Sequence, residues 1–302
     1  MAASRVRILS ALDARPHRYR RIRRATQALT LLVLWGAPAL GLVRFDLWAG
    51  HHRWLGQPAS AFQGLFGVAL GILVFYGITF LINAVFGRLF CGFGCPIGQA
   101  SRLADAIDGA RTPGARRAAR LRALAFDAAL AGAIVTWFAD PRVFLEGSMP
   151  ARLLAGGAFV LLTAAVYLHG TYWRWSFCRK ACPIGLYYTF VQPLSAYGVV
   201  FDADAETCID CGLCDAVCPV SLHPRNLGET IEDVGGLALD GFPATNHCLA
   251  CGDCVRACQL VLAPRGAKAP LAYGWRRQVR PRAPAPSPET PHAPGEAQPE
   301  AH

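Results

Sequence analysis

Four stretches of the chain are apolar on every face for about the 20 residues that a helix needs to cross a bilayer. They run roughly from Thr26 to Val43, Phe62 to Phe86, Leu121 to Phe138 and Leu153 to His169. Helices buried in a soluble core are seldom this long without a polar face. The pattern predicts four transmembrane helices, the third interrupted by Asp127. From Phe201 the pattern changes to polar sequence that continues to Trp275, followed by a tail rich in Pro, Ala and Glu that cannot bury apolar surface. The predicted organisation is a basic N-terminus over 1–24, a four-helix membrane domain over 25–200, a small soluble domain over 201–275 and a disordered tail over 276–302.

Charge gives this layout a direction. The net charge of +10 is carried almost wholly by arginine. Arg5, Arg7, Arg15, Arg18, Arg20, Arg21, Arg23 and Arg24 precede the first stretch. Arg88, Arg102, Arg111, Arg116, Arg117, Arg120 and Arg122 lie between the second and third. The other two links hold only Arg44 and Arg53, then Arg142 and Arg152. Short arginine-rich segments stay on the cytoplasmic side. Both termini and the soluble domain are therefore expected in the cytoplasm of a multi-pass protein of the bacterial inner membrane. Arginines clustered at the ends of apolar runs indicate lipid headgroups, not nucleic acid. Ala37-Pro38-Ala39 loosely resembles a signal cleavage site, but cleavage would spoil the alternation of arginine-rich links, so an uncleaved anchor is expected. Trp48, Trp54, Trp173 and Trp175 flank the stretches as an aromatic belt. His51 and His52 read as a solvated interfacial pair, with metal binding or partner contact as the alternative.

All twelve cysteines fall in regular motifs. Cys208-x-x-Cys211-x-x-Cys214-x-x-x-Cys218-Pro219 is the bacterial ferredoxin run. Three thiolates wrap one iron–sulfur cube and the fourth ligates a neighbouring one. Gly212 frees the loop for close approach of its backbone. The run repeats as Cys248-x-x-Cys251-x-x-Cys254-x-x-x-Cys258, with Gln259 where Pro is usual. Two [4Fe-4S] clusters are expected, one on Cys208, Cys211, Cys214 and Cys258, the other on Cys248, Cys251, Cys254 and Cys218. Zinc motifs show two separated cysteine pairs instead. The fold class is thus a membrane all-α protein of four transmembrane helices with a small C-terminal α+β two-cluster ferredoxin domain.

A second repeat lies outside that domain. Cys91-Gly-Phe-Gly-Cys95-Pro-Ile-Gly follows the second apolar stretch, and Cys178-Arg-Lys-Ala-Cys182-Pro-Ile-Gly follows the fourth. Two matching helix ends can bring four thiols together. Redox dithiols, a further metal or cluster, and inert buried cysteines all fit the spacing. Arg179 and Lys180 favour reactive thiolate.

With its cysteine motifs in this order, the chain resembles the NapH family, the membrane component of quinol dehydrogenases that feed periplasmic nitrate reductase. The wider group includes the NosR, MauN and CcoG/FixG types. The resemblance implies quinol as electron donor, drawn from the membrane pool, and a NapG/MauM-like iron–sulfur protein or periplasmic reductase as partner. Asn83, Asp127 and His169 all fall near the expected cytoplasmic ends of stretches two to four, and ionisable groups inside a span are costly and functional. Asp127 and His169 are the candidate quinol-site residues, although Asp127 could instead pair with Arg120 or Arg122. The same wire would also serve a maturation factor that reduces a metal or cysteine in another protein.

Overall fold

The computed structural model describes residues 17–47, 50–191, 197–202, 207–231 and 241–275. The N-terminal arginines before His17, Trp48 and the expected tail lie outside these residues.

Helix α1 (Arg18–Ala39) begins at His17, whose ring nitrogen accepts from the backbone of Tyr19. A short meander of β1 (Val43–Arg44), β2 (Arg53–Trp54) and β3 (Gln57–Pro58) leads into α2 (Ala61–Phe86). Ser60 and Gln63 form a reciprocal capping box that sets the start of α2. Then come α3 (Leu89–Phe93), α4 (Pro96–Asp108), α5 (Pro113–Phe138), α6 (Val143–Glu146) and α7 (Met149–Leu168). A widened π-type turn, His169–Trp173, joins α7 to α8 (Arg174–Lys180), and α9 (Pro183–Val191) follows.

Among the described residues, three helical runs are long and apolar enough to cross a membrane: Ala61–Phe86, Pro113–Phe138 and Met149–Thr189. Leu65, Phe66, Leu73, Leu81, Leu153 and Leu161 stand exposed along them, an outward surface that lipid would cover. The first apolar stretch also forms a helix, but α1 opens on Arg18, Arg20, Arg21, Arg23 and Arg24, and only the part after Ala25 is apolar. The third helix starts earlier than its apolar stretch does. Thr112 caps it and Pro113 occupies its first turn, so Asp127 sits near the middle of α5 and not close to its end.

The C-terminal unit is built on two antiparallel strands that bracket both cysteine runs, β4 (Tyr197–Phe201) and β7 (Leu271–Trp275), with Tyr197 opposite Trp275 and Phe201 opposite Leu271. Between them lie α10 (Leu213–Ala216), β5 (Thr230–Ile231), β6 (Phe242–Pro243), α11 (Ala244–His247) and α12 (Asp253–Leu262). Pro219 follows the first run, where α10 ends after four residues. With Gln259 in the equivalent place the second helix continues to Leu262, and the Gln259 side chain meets His17 at 3.3 Å. One hydrophobic core joins Val199, Val217, Val255 and Leu271 of this unit to Tyr19 of α1, Phe93 of α3 and Trp175 of α8.

Candidate metal centre

The two ferredoxin loops are conformational copies. Asp210 and Ala250, each just before the second cysteine of its run, have φ of 49° and 48°. Gly212 and Gly252, each just after it, have φ of 66° and 75°. A non-glycine residue held in this left-handed region costs roughly 1–3 kcal/mol. The same strain at the same place in both loops marks a shape imposed by what the loops enclose.

One cavity is lined by Cys208, Cys211, Cys214 and Cys258, together with Phe201, Leu271 and Arg225. A second is lined by Cys218, Cys248, Cys251 and Cys254, together with Val199, Val220 and Leu222. Each cavity therefore takes three cysteines from one run and the last cysteine of the other. Across all twelve thiols, no three sulfurs lie within 4.8 Å of one another; the donor set that does so among the described residues is Asp46, His51 and Asp140. Four sulfurs at about 2.3 Å from a tetrahedral zinc would stand roughly 3.8 Å apart. The wider spread suits a multi-iron cube. Backbone N–H groups already face two of these sulfurs, from Leu222 to Cys218 at 3.2 Å and from Ala250 to Cys248 at 3.4 Å.

Burial pushes the thiols of Cys214 and Cys218 up to about 12 and that of Cys251 up to about 11, because the apolar surroundings penalise the thiolate. Without a cluster these cysteines are therefore protonated thiols, and each one gives up its proton on ligation. Binding that releases protons strengthens as pH rises. Raising the pH from 7 to 8 should improve iron–sulfur reconstitution of the iron-free protein by roughly tenfold for each proton released. Equal loading at both pH values would contradict this.

The second repeat lies against this domain. Cys95 caps α4 and Cys182 precedes α9, so each Cys-Pro-Ile-Gly places its sulfur at a helix N-terminus with proline in the first turn. Backbone N–H groups of Ile97 and Gly98 point at Cys95, and that of Gly185 at Cys182 at 3.4 Å. All six pairings among Cys91, Cys95, Cys178 and Cys182 fall within electrostatic reach. Gly92, inside the first motif, packs directly on the second ferredoxin loop. A Cβ placed on it would lie 2.4 Å from the Leu249 carbonyl oxygen and 2.8 Å from Cys251 Cα.

Charged side chains hold the two parts together. Asp253, in the first turn of α12, accepts from Arg102 of α4 at 2.9 Å and from Arg23 of α1 at 3.2 Å. Arg23 also donates to the Cys251 carbonyl at 2.8 Å. These arginines fell in segments whose charge already had a topological explanation, and sequence reasoning missed their second role. It missed Arg88 as well, which is 1% exposed and donates to Thr189.

Asn83 is buried and donates to the Thr79 carbonyl at 2.7 Å; Tyr188 donates to the Thr79 hydroxyl at the same distance. Asp127 is also buried, and among the described residues its Oδ1 has no hydrogen-bond partner and it forms no ion pair. Arg122 donates instead to the Ala118 carbonyl. His169 packs edge-on to Phe177 at 4.5 Å with both ring nitrogens unpartnered. Leu130 and Val166 share one apolar cluster, and Ala123 and Tyr167 another, so α5 packs against α7. Of the two outer histidines, His52 stacks on Phe45 at 4.9 Å, and His51 joins Asp46 beside an Asp140 that already pairs with Arg44 at 2.5 Å.

Comparison with known proteins agrees with the chemistry of this unit. Residues 204–262 match the model of the 4Fe-4S dicluster domain. Nitrogen fixation protein FixG of Rhizobium meliloti is 27% identical over 239 residues, 66% of this chain and 42% of FixG. Protein RdxA of Cereibacter sphaeroides is 25% identical over 222 residues, 62% of this chain and 44% of RdxA. The chain thus spans less than half the length of these relatives. No solved structure matches it. The chain thus carries a 4Fe-4S dicluster domain beside helices long and apolar enough to cross a membrane, and it is distantly similar to FixG and RdxA.

Proposed function

We propose that the chain takes electrons from quinol in the membrane and hands them, one at a time, to a partner iron–sulfur protein or a periplasmic reductase system. The observation that carries this reading is the backbone contact of Gly92 with Leu249 and Cys251, which joins the thiol motif at the helix ends to a ferredoxin loop. In this reading Cys208, Cys211, Cys214 and Cys258 hold one [4Fe-4S] cluster, and Cys248, Cys251, Cys254 and Cys218 the other. When bound, each supplies a one-electron carrier. In the same reading helix α1 serves as a fourth span, and the arginine-rich links favour a cytoplasmic position for both termini and the clusters.

Oxidation of quinol to quinone releases two electrons and two protons. Oδ1 of Asp127 and the ring nitrogens of His169, buried atoms without hydrogen-bond partners among the described residues, are the groups that would accept those protons. Loss of a general base costs on the order of a hundredfold in rate. Asp127→Asn and His169→Ala should therefore each slow quinol oxidation by roughly that factor while leaving iron content unchanged. If both variants oxidise quinol at the normal rate, the quinol site lies elsewhere.

The matched relatives are named FixG and RdxA, and FixG is one of the types in the wider group of the sequence resemblance. This favours a second reading, a maturation factor that spends the same electrons on a metal ion or disulfide of another protein. Anaerobically purified full-length protein tests both. Iron and sulfide should be present, and a quinol analogue should bleach the cluster absorbance. Zinc in place of iron, or no bleaching, would reject the proposal. Reoxidation by cupric ion or a protein disulfide, but not by a ferredoxin, would select the second reading.

A further inference from the structure

Arg88 has almost no contact with water and its Nε has no hydrogen-bond partner. No carboxylate pairs with it among the described residues, and it donates to the neutral hydroxyl of Thr189. A guanidinium is not deprotonated in proteins, and a buried, unpaired one costs several kcal/mol. Something negative must therefore sit beside it. Cys91, Cys178 and Cys182 are within its electrostatic reach, with Cys248 of the adjoining loop. Its Nη1 stands 3.4 Å from where a Cβ on Gly185 would lie, in the second Cys-Pro-Ile-Gly motif.

Three states of the four thiols can be weighed by charge. Protonated thiols are neutral, and two disulfides are neutral as well; both would leave Arg88 with only the Cys248 thiolate of the adjoining loop as a negative neighbour. Four thiolates on a metal centre carry a net negative charge. The sulfurs also lie too far apart for a mononuclear tetrahedral ion, since no three of them meet within 4.8 Å. The donor set is complete, four cysteines from two matching helix starts, with backbone N–H groups already directed at Cys95 and Cys182.

We propose that Cys91, Cys95, Cys178 and Cys182 ligate a third iron–sulfur cluster, whose negative charge is balanced by the buried guanidinium of Arg88. On assembly four S–H bonds are replaced by four Fe–S bonds and four protons leave to solvent, while Arg88 keeps its own. The site stands between the apolar helices and the Cys218/Cys248/Cys251/Cys254 set, where a one-electron carrier would link the two. The inference rests on the reading that the chain carries iron–sulfur clusters.

The test is the iron and acid-labile sulfide content of the anaerobically prepared full chain. Three cubes give about twelve irons per chain, and two give about eight. The double variant Cys95→Ser/Cys182→Ser should lose roughly a third of the iron while the ferredoxin-domain signals persist. The Arg88→Gln variant should lower the midpoint potential of the third centre, and Arg88→Lys should leave it near the native value. A native count of about eight, full iron retention in the double variant, or zinc at these cysteines would overturn the third cluster and leave the function above standing. Equal potentials in Arg88→Gln and Arg88→Lys would remove Arg88 from its assigned role. A native chain with no iron at all would sink both readings.

Discussion

Gly92→Ala is expected to uncouple the cluster-bearing domain from the membrane helices without emptying it. The added methyl would lie 2.4 Å from the Leu249 carbonyl oxygen, 2.8 Å from Cys251 Cα and 3.0 Å from Cys251 N. All three are backbone atoms of a loop held by its own cysteines, so no side chain can rotate out of the way. The two surfaces must move apart. Overpacking of a close contact costs roughly 1–3 kcal/mol, and each 1.4 kcal/mol is about a factor of ten in a docking equilibrium. Iron content should stay at the native value, while the rate at which a quinol analogue bleaches the clusters falls by about tenfold or more. Native bleaching kinetics in Gly92→Ala would show that electrons do not cross at this contact.

The second large effect is expected at Asp253. Asp253 is 5% exposed, and its carboxylate joins three elements, receiving Arg102 from α4 and Arg23 from α1 while sitting in the first turn of α12. An anionic side chain there also suits the positive end of that helix. Burial alone would lower the pKa of Arg102, yet the carboxylates of Asp253 and Asp105 nearby hold it above its ordinary value. Asp253→Ala would leave two mostly buried guanidinium groups facing a gap. Removing one partner of a buried pair typically costs about 3–5 kcal/mol. Thermal unfolding of the detergent-solubilised protein should shift down by several degrees at least, and trypsin should begin to cut at Arg23 and Arg102. Asp253→Asn, which keeps an oxygen acceptor, should lose less. If Asp253→Ala unfolds like the native chain, the clamp does not bear the docking.

Most of the local chemistry was legible along the chain. The spacing of each ferredoxin run suits a loop that wraps a cube, so a grouping of the cysteines could be expected before any fold was known, and the two cavities are lined by the same two groups. The glycine after the second cysteine of each run sits at positive φ, as a tight wrapping loop requires. The departure at Gln259 was also visible, although not its consequence: without proline the helix runs on to Leu262 and its side chain reaches α1. The start of the third helix was misplaced in the linear reading, because the apolar stretch starts at Leu121 whereas the Thr112 cap and Pro113 start the helix earlier.

Arginine is where linear reading ran out. Arg23, Arg88 and Arg102 look alike in sequence, three cations among many that follow a topological rule. Folding gives them separate tasks, because a charge taken out of water must meet a partner, and the partners come from more than 90 residues away.

Taken alone, the order of residues determined the long apolar helices, the two ferredoxin loops and the paired Cys-Pro-Ile-Gly helix starts. Each of these is set by neighbours a few positions apart, through periodicity, capping and ligand spacing. Tertiary structure decided what stands next to what: the Gly92 backbone against Leu249 and Cys251, Asp253 between two arginines, and Arg88 among the four remaining thiols. Those relations depend on burial and on charge desolvated at close range, and neither quantity exists until distant segments have packed together.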